Sequence, residues 1–314
     1  MSTTSASAPS RPEHVTYEVV HTTAYRYAAA VSLSQQLLHL APRDVPRQRC
    51  RGHALRIEPA PARRRDDLDP FGNPLTRLEF DRPHAALVIT SSMQVTRESR
   101  ETPLDVADSP AWEEVVECLR YRAGTAPGAD VLEAARYRFE SPYVRIKTML
   151  AEYARDCFPP RRPLLEATFA LMQKIHREFA YDPAATEIET PLLDVFARRR
   201  GVCQDFAHLL LACLRSLGLA ARYVSGYLRT TPRPGKPRLV GADASHAWIS
   251  LYCPRQGWVD FDPTNHMIPQ LAHITLAWGR DFGDVSPLRG VILGGGTHVL
   301  KVGVTVTPGA GAGR

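Results

Sequence analysis

Closely spaced cysteines are missing from this chain. Its six thiols, at Cys50, Cys118, Cys157, Cys203, Cys213 and Cys253, are scattered and form no C-x-x-C pair. A structural zinc site gathers thiolates or imidazoles at short spacings, so no metal is expected. No segment resembles an EF-hand loop, which argues against calcium activation, and no cofactor is expected. Nor does any run reach the ~18 apolar residues that a membrane span requires. Met1–Arg11 is a Ser/Thr/Ala tail with no apolar leader segment. With thiols reduced by default, the expectation is a cytoplasmic protein without a membrane partner. A stripe of positive charge is missing too. The net charge of +6 is dispersed, and Arg63-Arg64-Arg65 is offset at once by Asp66 and Asp67, as in a solvated loop. No nucleic-acid partner is expected.

A chain of 314 residues has room for one large or two modest cores. Residues 1–12 read as a disordered tail. Residues 13–98 read as a small all-β domain, a sandwich or barrel. Val15–Val20, Ala54–Ile57, Leu75–Phe80 and Leu87–Thr90 alternate or are rich in β-branched residues, with turn chemistry at Asp69-Pro70-Phe71-Gly72-Asn73-Pro74. Residues 99–162 read as a mixed helical connector, with helices around Trp112–Tyr121 and Val144–Cys157. Residues 163–285 form the core, and 286–314 hold a late strand at Leu300–Val306 and a frayed glycine-rich end. In the core, Leu165, Phe169, Met172, Ile175 and Phe179 recur at helical spacing. Thr190-Pro191 looks like a helix start, and Arg198-Arg199-Arg200-Gly201 like its end, with Gly201 as the left-handed cap. The triple arginine is read as capping, not as an anion site.

Three ordered segments then carry the reactive side chains: Gly201-Val202-Cys203-Gln204-Asp205-Phe206-Ala207-His208, Ser245-His246-Ala247-Trp248, and Gly257–Thr264. Phe206, Leu209, Leu210, Cys213, Leu214 and Leu217 form the stripe of a helix that places Cys203 in its first turn. There the helix dipole and free N–H groups favour a thiolate, and the Cys203 N–H is free to meet an oxyanion. The bland alternative is a buried cysteine like Cys213. His246 opens a strand paired with Gly257–Asp262 across the turn Pro254–Gly257. That hairpin puts Asp262 one diagonal step from His246 and Asp260 farther off, if the loop length is odd or a bulge intervenes. Asp262 is therefore the expected orienting carboxylate, Asn265 the fallback, and Asp260 a structural or solvated group.

This ordered set, ending in Asp262-Pro263-Thr264, resembles the transglutaminase-like superfamily of papain-type cysteine enzymes. Tyr25-Arg26-Tyr27, Leu38–Arg43 and Asp69–Asn73 resemble the β-rich N-terminal domain of its bacterial members, and Gly279–Pro287 resembles their C-terminal segment. The resemblance implies an α+β fold: a papain-like core, with the cysteine helix packed on an antiparallel sheet, preceded by a small all-β domain. It also implies Cys203 as nucleophile, His246 as acid and base, and Asp262 as the third member. Tyr181, in Phe179-Ala180-Tyr181, and Gln204 are the implied oxyanion or substrate residues. The expected chemistry is acyl transfer through a thioester on a protein or peptide amide. Hydrolysis is favoured over transfer to a small amine. The alternative is a binding or assembly module that retains the triad without turnover.

Overall fold

The computed structural model describes residues 14–100, 104–124, 126–230 and 244–309; the expected N-terminal tail and the last five residues of the glycine-rich end lie outside them. The N-terminal half contributes β1 (His14–Leu38), β2 (Gln48–Glu58), β3 (Arg63–Leu68), β4 (Pro74–Phe80) and β5 (His84–Glu98). Alternation in β1 buries Val15, Tyr17 and Val19 and exposes Glu18 and Val20, the period that lets one face of a sheet meet a core. These strands form an antiparallel sheet in the order β2-β5-β1-β4-β3. The arginine run expected in a loop is β3 itself, an edge strand. Arg64 pairs with Asp66 on one face of the strand and Arg65 with Asp67 on the other, and such charges discourage further strand addition.

The connector holds α1 (Trp112–Cys118), α2 (Ala129–Ala135) and α3 (Thr148–Arg155), and leads into α4 (Leu164–Glu178). Next come β6 (Ala180–Tyr181), α5 (Leu192–Arg198), β7 (Arg200–Gly201) and α6 (Cys203–Ser216). The second sheet follows, from β8 (Ala221–Leu228), β9 (Ala244–Cys253), β10 (Gly257–Phe261) and β11 (His273–Gly279), in the order β10-β9-β8-β11. α6 packs across β8 and β9. From Asp205 through Arg215 every α6 residue is buried, the profile of an interior helix. Among the described residues no helix is long and apolar enough to cross a membrane.

Two cap expectations need correction. α5 starts at Leu192 after Pro191, and Thr190 closes a turn by accepting from the Glu187 N–H instead of capping the helix. The left-handed residue after α5 is Arg199 (φ 55°), not Gly201. Its guanidinium lies over the rings of Phe196, Phe179 and Tyr153, at 4.4, 4.7 and 5.0 Å, contacts that offset the unfavourable backbone. Gly201 is needed for proximity instead: a Cβ there would stand 2.6 Å from Asp205 Oδ2.

After α7 (Phe282–Val285) the chain returns to the N-terminal sheet as β12 (Leu288–Gly294) and β13 (His298–Pro308), both antiparallel to β1. The C-terminal segment is thus part of the first sheet, which has seven strands in all. One apolar cluster runs from Val15, Tyr17, Val95 and Val306 of this sheet into α4, α6 and β9. Side-chain amides finish the seam. Gln48 exchanges two hydrogen bonds with the backbone of Thr275 (2.7 and 2.9 Å), and Asn73 does the same with Trp278 (2.8 and 2.9 Å). Both targets lie on β11, the edge of the second sheet, so two side chains stand where a further strand would pair. Asn73 is held in turn by Asp69 and Arg43, and Asp69 by His39.

Candidate active site

Cys203 is the first residue of α6 and is half-buried. Its place is set by Asp205, whose Oδ2 accepts from the Val202 N–H at 2.8 Å and from Thr186 Oγ1 at 2.7 Å. This holds the helix start against the 182–190 loop. Burial raises the Asp205 pKa despite those bonds. His246 lies near the start of β9, 7% exposed, and its Nε2 donates to Asp262 Oδ2 at 2.7 Å. Cys203 is the other side chain whose interaction with the imidazole favours its charged form. With Nε2 committed to Asp262, Nδ1 is the nitrogen left for sulfur. The three side chains expected to act together therefore belong to one site, with His246 and Asp262 in direct contact.

The hairpin explains the choice of carboxylate. Gly257 pairs with Cys253 and Asp260 with Ser250, across the three-residue loop Pro254–Gln256. That odd loop puts 246, 250 and 260 on one face. Asp262 follows the last paired residue, Phe261, and its backbone bonds twice with Met267 to close a turn. It is fully buried, with Oδ1 accepting from the Thr264 and Asn265 N–H groups and Oδ2 from His246, His273 and Asn265 Nδ2. Asn265 thus supports Asp262 and does not replace it.

Burial alone would keep His246 neutral, but its interactions with Asp262 and Cys203 outweigh that and raise its pKa to about 10. For Asp262 burial opposes ionisation, and the bonds with His246 and His273 override it, holding the carboxyl well below the usual carboxylate range. His273 is the residue that sequence reasoning missed. Burial lowers its pKa more than Asp262 raises it, so it is a neutral donor to Oδ2 at 3.0 Å. The sequence reading placed no strand there and gave no indication that β11 returns beside Asp262. The ligand atoms of His246, Asp262 and His273 lie within 4.8 Å of one another. A metal there would have to displace the two imidazole N–H donors from Asp262.

Tyr181 is paired in register with Gly201, two residues before Cys203. It is half exposed, with its ring edge toward Phe206 at 6.4 Å. Burial and the nearby Cys203 raise its hydroxyl pKa. Gln204 turns away to the loop, donating to the Ile188 carbonyl at 3.1 Å. His208, one helical turn beyond Gln204, is neutral because burial and then Arg215 push its pKa down to about 3. It accepts the Phe282 N–H, which ties the Gly279–Pro287 segment to α6.

Two family profiles fit this arrangement. The bacterial transglutaminase-like N-terminal region matches residues 17–96, and the transglutaminase-like superfamily core matches 151–263. An uncharacterized protein of Mycobacterium tuberculosis is 40% identical over 300 residues, spanning 93% of this chain and 92% of its own length. The chain belongs to the transglutaminase-like superfamily. A shorter match, 36% identical over 105 residues, is to a protein-glutamine gamma-glutamyltransferase of Pseudomonas aeruginosa, covering 32% of this chain and 16% of that one. The superfamily fold is also seen in the crystal structure of a candidate cysteine protease from Cytophaga hutchinsonii. That structure has a TM-score of 0.72 and 18% identity, and the match covers 96% of this chain and 93% of the other. Membership in the superfamily supports a general cysteine-dependent catalytic function.

Proposed function

We propose that this protein is a cysteine-dependent hydrolase that cleaves an amide in a protein or peptide through a thioester on Cys203. The observation that carries this reading is the 2.7 Å bond from His246 to buried Asp262, with Cys203 acting on the same imidazole. The Cys203 thiolate attacks the carbonyl carbon, and the Cys203 N–H, at the open end of α6, receives the developing oxyanion, with Tyr181 alongside. The His246 imidazolium, kept charged by Asp262 and the sulfur, gives its proton to the leaving nitrogen as the C–N bond breaks. The neutral imidazole then takes a proton from water as it attacks the thioester. Release of the C–S bond returns the thiolate–imidazolium pair and frees an acid. All six cysteines are free, which supports placement in the reducing cytoplasm.

A second reading replaces water by a small amine, giving transamidation; the name of the Pseudomonas relative favours it. The two share every step up to the thioester. Alkylation of Cys203 by iodoacetamide across pH tests the common core. Modification should be fast below pH 7 and should fall at least about tenfold in His246→Ala. A rate equal to that of a free thiol would overturn catalysis and leave a binding module that retains the triad. Profiling peptide amides with hydroxylamine as trap then separates the fates of the acyl group, and Cys203→Ala must give no product.

A further inference from the structure

The N-terminal half and the second sheet enclose a cavity of about 470 Å³ that none of the triad residues lines. Arg47 and Arg97 reach it from the N-terminal half, Arg100 from just beyond β5, and Arg222 from β8. Among the described residues its acidic groups are Asp260 and Glu133, so four guanidiniums face two carboxylates there and two positive charges are left over. Asp260 is shared, since its charge acts on Arg97, Arg100 and Arg222 together. Arg97 is 8% exposed and Arg222 6%, and the Nε of each is buried with no hydrogen-bond partner among the described residues. Leaving a buried charged donor unpaired is costly. Both side chains line one cavity, where a bound acceptor would meet their guanidiniums.

The arginines are also held in place. The Arg222 guanidinium lies over both Trp278 and Trp258, at 3.6 and 4.0 Å from the ring centroids. Arg97 is anchored by Nη2 to the Gln270 carbonyl at 3.2 Å. A fixed guanidinium with free N–H groups matches the paired oxygens of a carboxylate or phosphate. We propose that this cavity binds a small-molecule oxyanion, gripped by Arg97 and Arg222, with the half-buried Arg47 and Arg100 adding charge. Asp260 competes with the ligand for the same donors.

Isothermal titration calorimetry of the full chain at fixed ionic strength, with inorganic phosphate and separately with benzoate, tests the site. Saturable single-site binding is expected for at least one probe, and the probe that binds identifies the headgroup. Arg97→Gln and Arg222→Gln should each weaken binding at least about tenfold. Asp260→Asn should tighten it several-fold, a direction that general loosening of the fold does not produce. If the two buried-arginine variants fold poorly, Asp260→Asn and the double variant Arg47→Gln/Arg100→Gln decide, the latter weakening binding. No saturable binding of either probe, binding unchanged in folded Arg97→Gln or Arg222→Gln, or weaker binding in Asp260→Asn would overturn the proposal.

Discussion

Asp262 accepts from five donors in a fully buried position, and its charge decides which form of His246 the protein holds. Without that carboxylate, Cys203 alone would be left to oppose the effect of burial on the imidazole. In Asp262→Asn, His246 should therefore titrate well below about 10, as read from histidine ring resonances by NMR. The sign of the stability effect follows. A raised histidine pKa contributes stability that is complete below the ordinary imidazole value and is lost as pH rises through about 10. The depressed Asp262 carboxyl contributes stability present above the ordinary carboxylate range and lost as pH falls through its lowered value. Urea midpoints measured from pH 6 to 10.5 should decline at the alkaline end in the wild type and stay flatter in Asp262→Asn. A His246 titration unchanged by the substitution would remove Asp262 from its assigned role.

At the scale of elements, two glycines mark where backbone must come close. A Cβ at Gly226 would stand 2.1 Å from the Ile274 carbonyl oxygen and 2.5 Å from the Trp248 ring, and Gly226 is paired with His246 itself. Gly226→Ala must push β8 away from β11, at a cost of about 1–3 kcal/mol, and should lower both the thermal midpoint and Cys203 alkylation. Gly201→Ala would displace Asp205 from the Val202 N–H. The lost cap is worth about 1 kcal/mol, so the expected reading is a mild stability loss with a larger drop in thiol reactivity. These elements differ in how far sequence revealed them. The Cys203 helix, the strands of the hairpin and the nearness of Asp262 to His246 were legible, because 3.6- and 2-residue periodicities fix faces locally, whereas the loop parity, odd or bulged, was settled only by the pairing register. The use of Gly201 was not legible, since its reason is a side chain four residues on whose position depends on Thr186. His273 and the Arg97–Arg222 cavity were invisible for a stronger reason: each joins strands whose pairing is set by tertiary packing.

Across the whole molecule, the second sheet depends on the first. β11 carries His273 at its head and presents an edge to the N-terminal half, where Gln48 and Asn73 supply the amide pairs that a neighbouring strand would give. Buried edges need such partners, because an unpaired backbone group costs about 1–3 kcal/mol. This gives the Asp69–Asn73 turn a purpose that its own composition did not reveal: Arg43 and Asp69 aim the Asn73 amide at Trp278. Gln48→Leu keeps the volume similar but strands the N–H and carbonyl of Thr275. It should cost roughly 2–4 kcal/mol in urea unfolding, and Asn73→Leu should behave alike at Trp278. Since β11 also carries His273 to Asp262, Gln48→Leu should slow Cys203 alkylation although Gln48 lies in the other half of the molecule. Loss of stability with full thiol reactivity would mean that the first sheet supports the second without positioning its chemistry. Parallel loss of both would assign the N-terminal half a part in holding the triad.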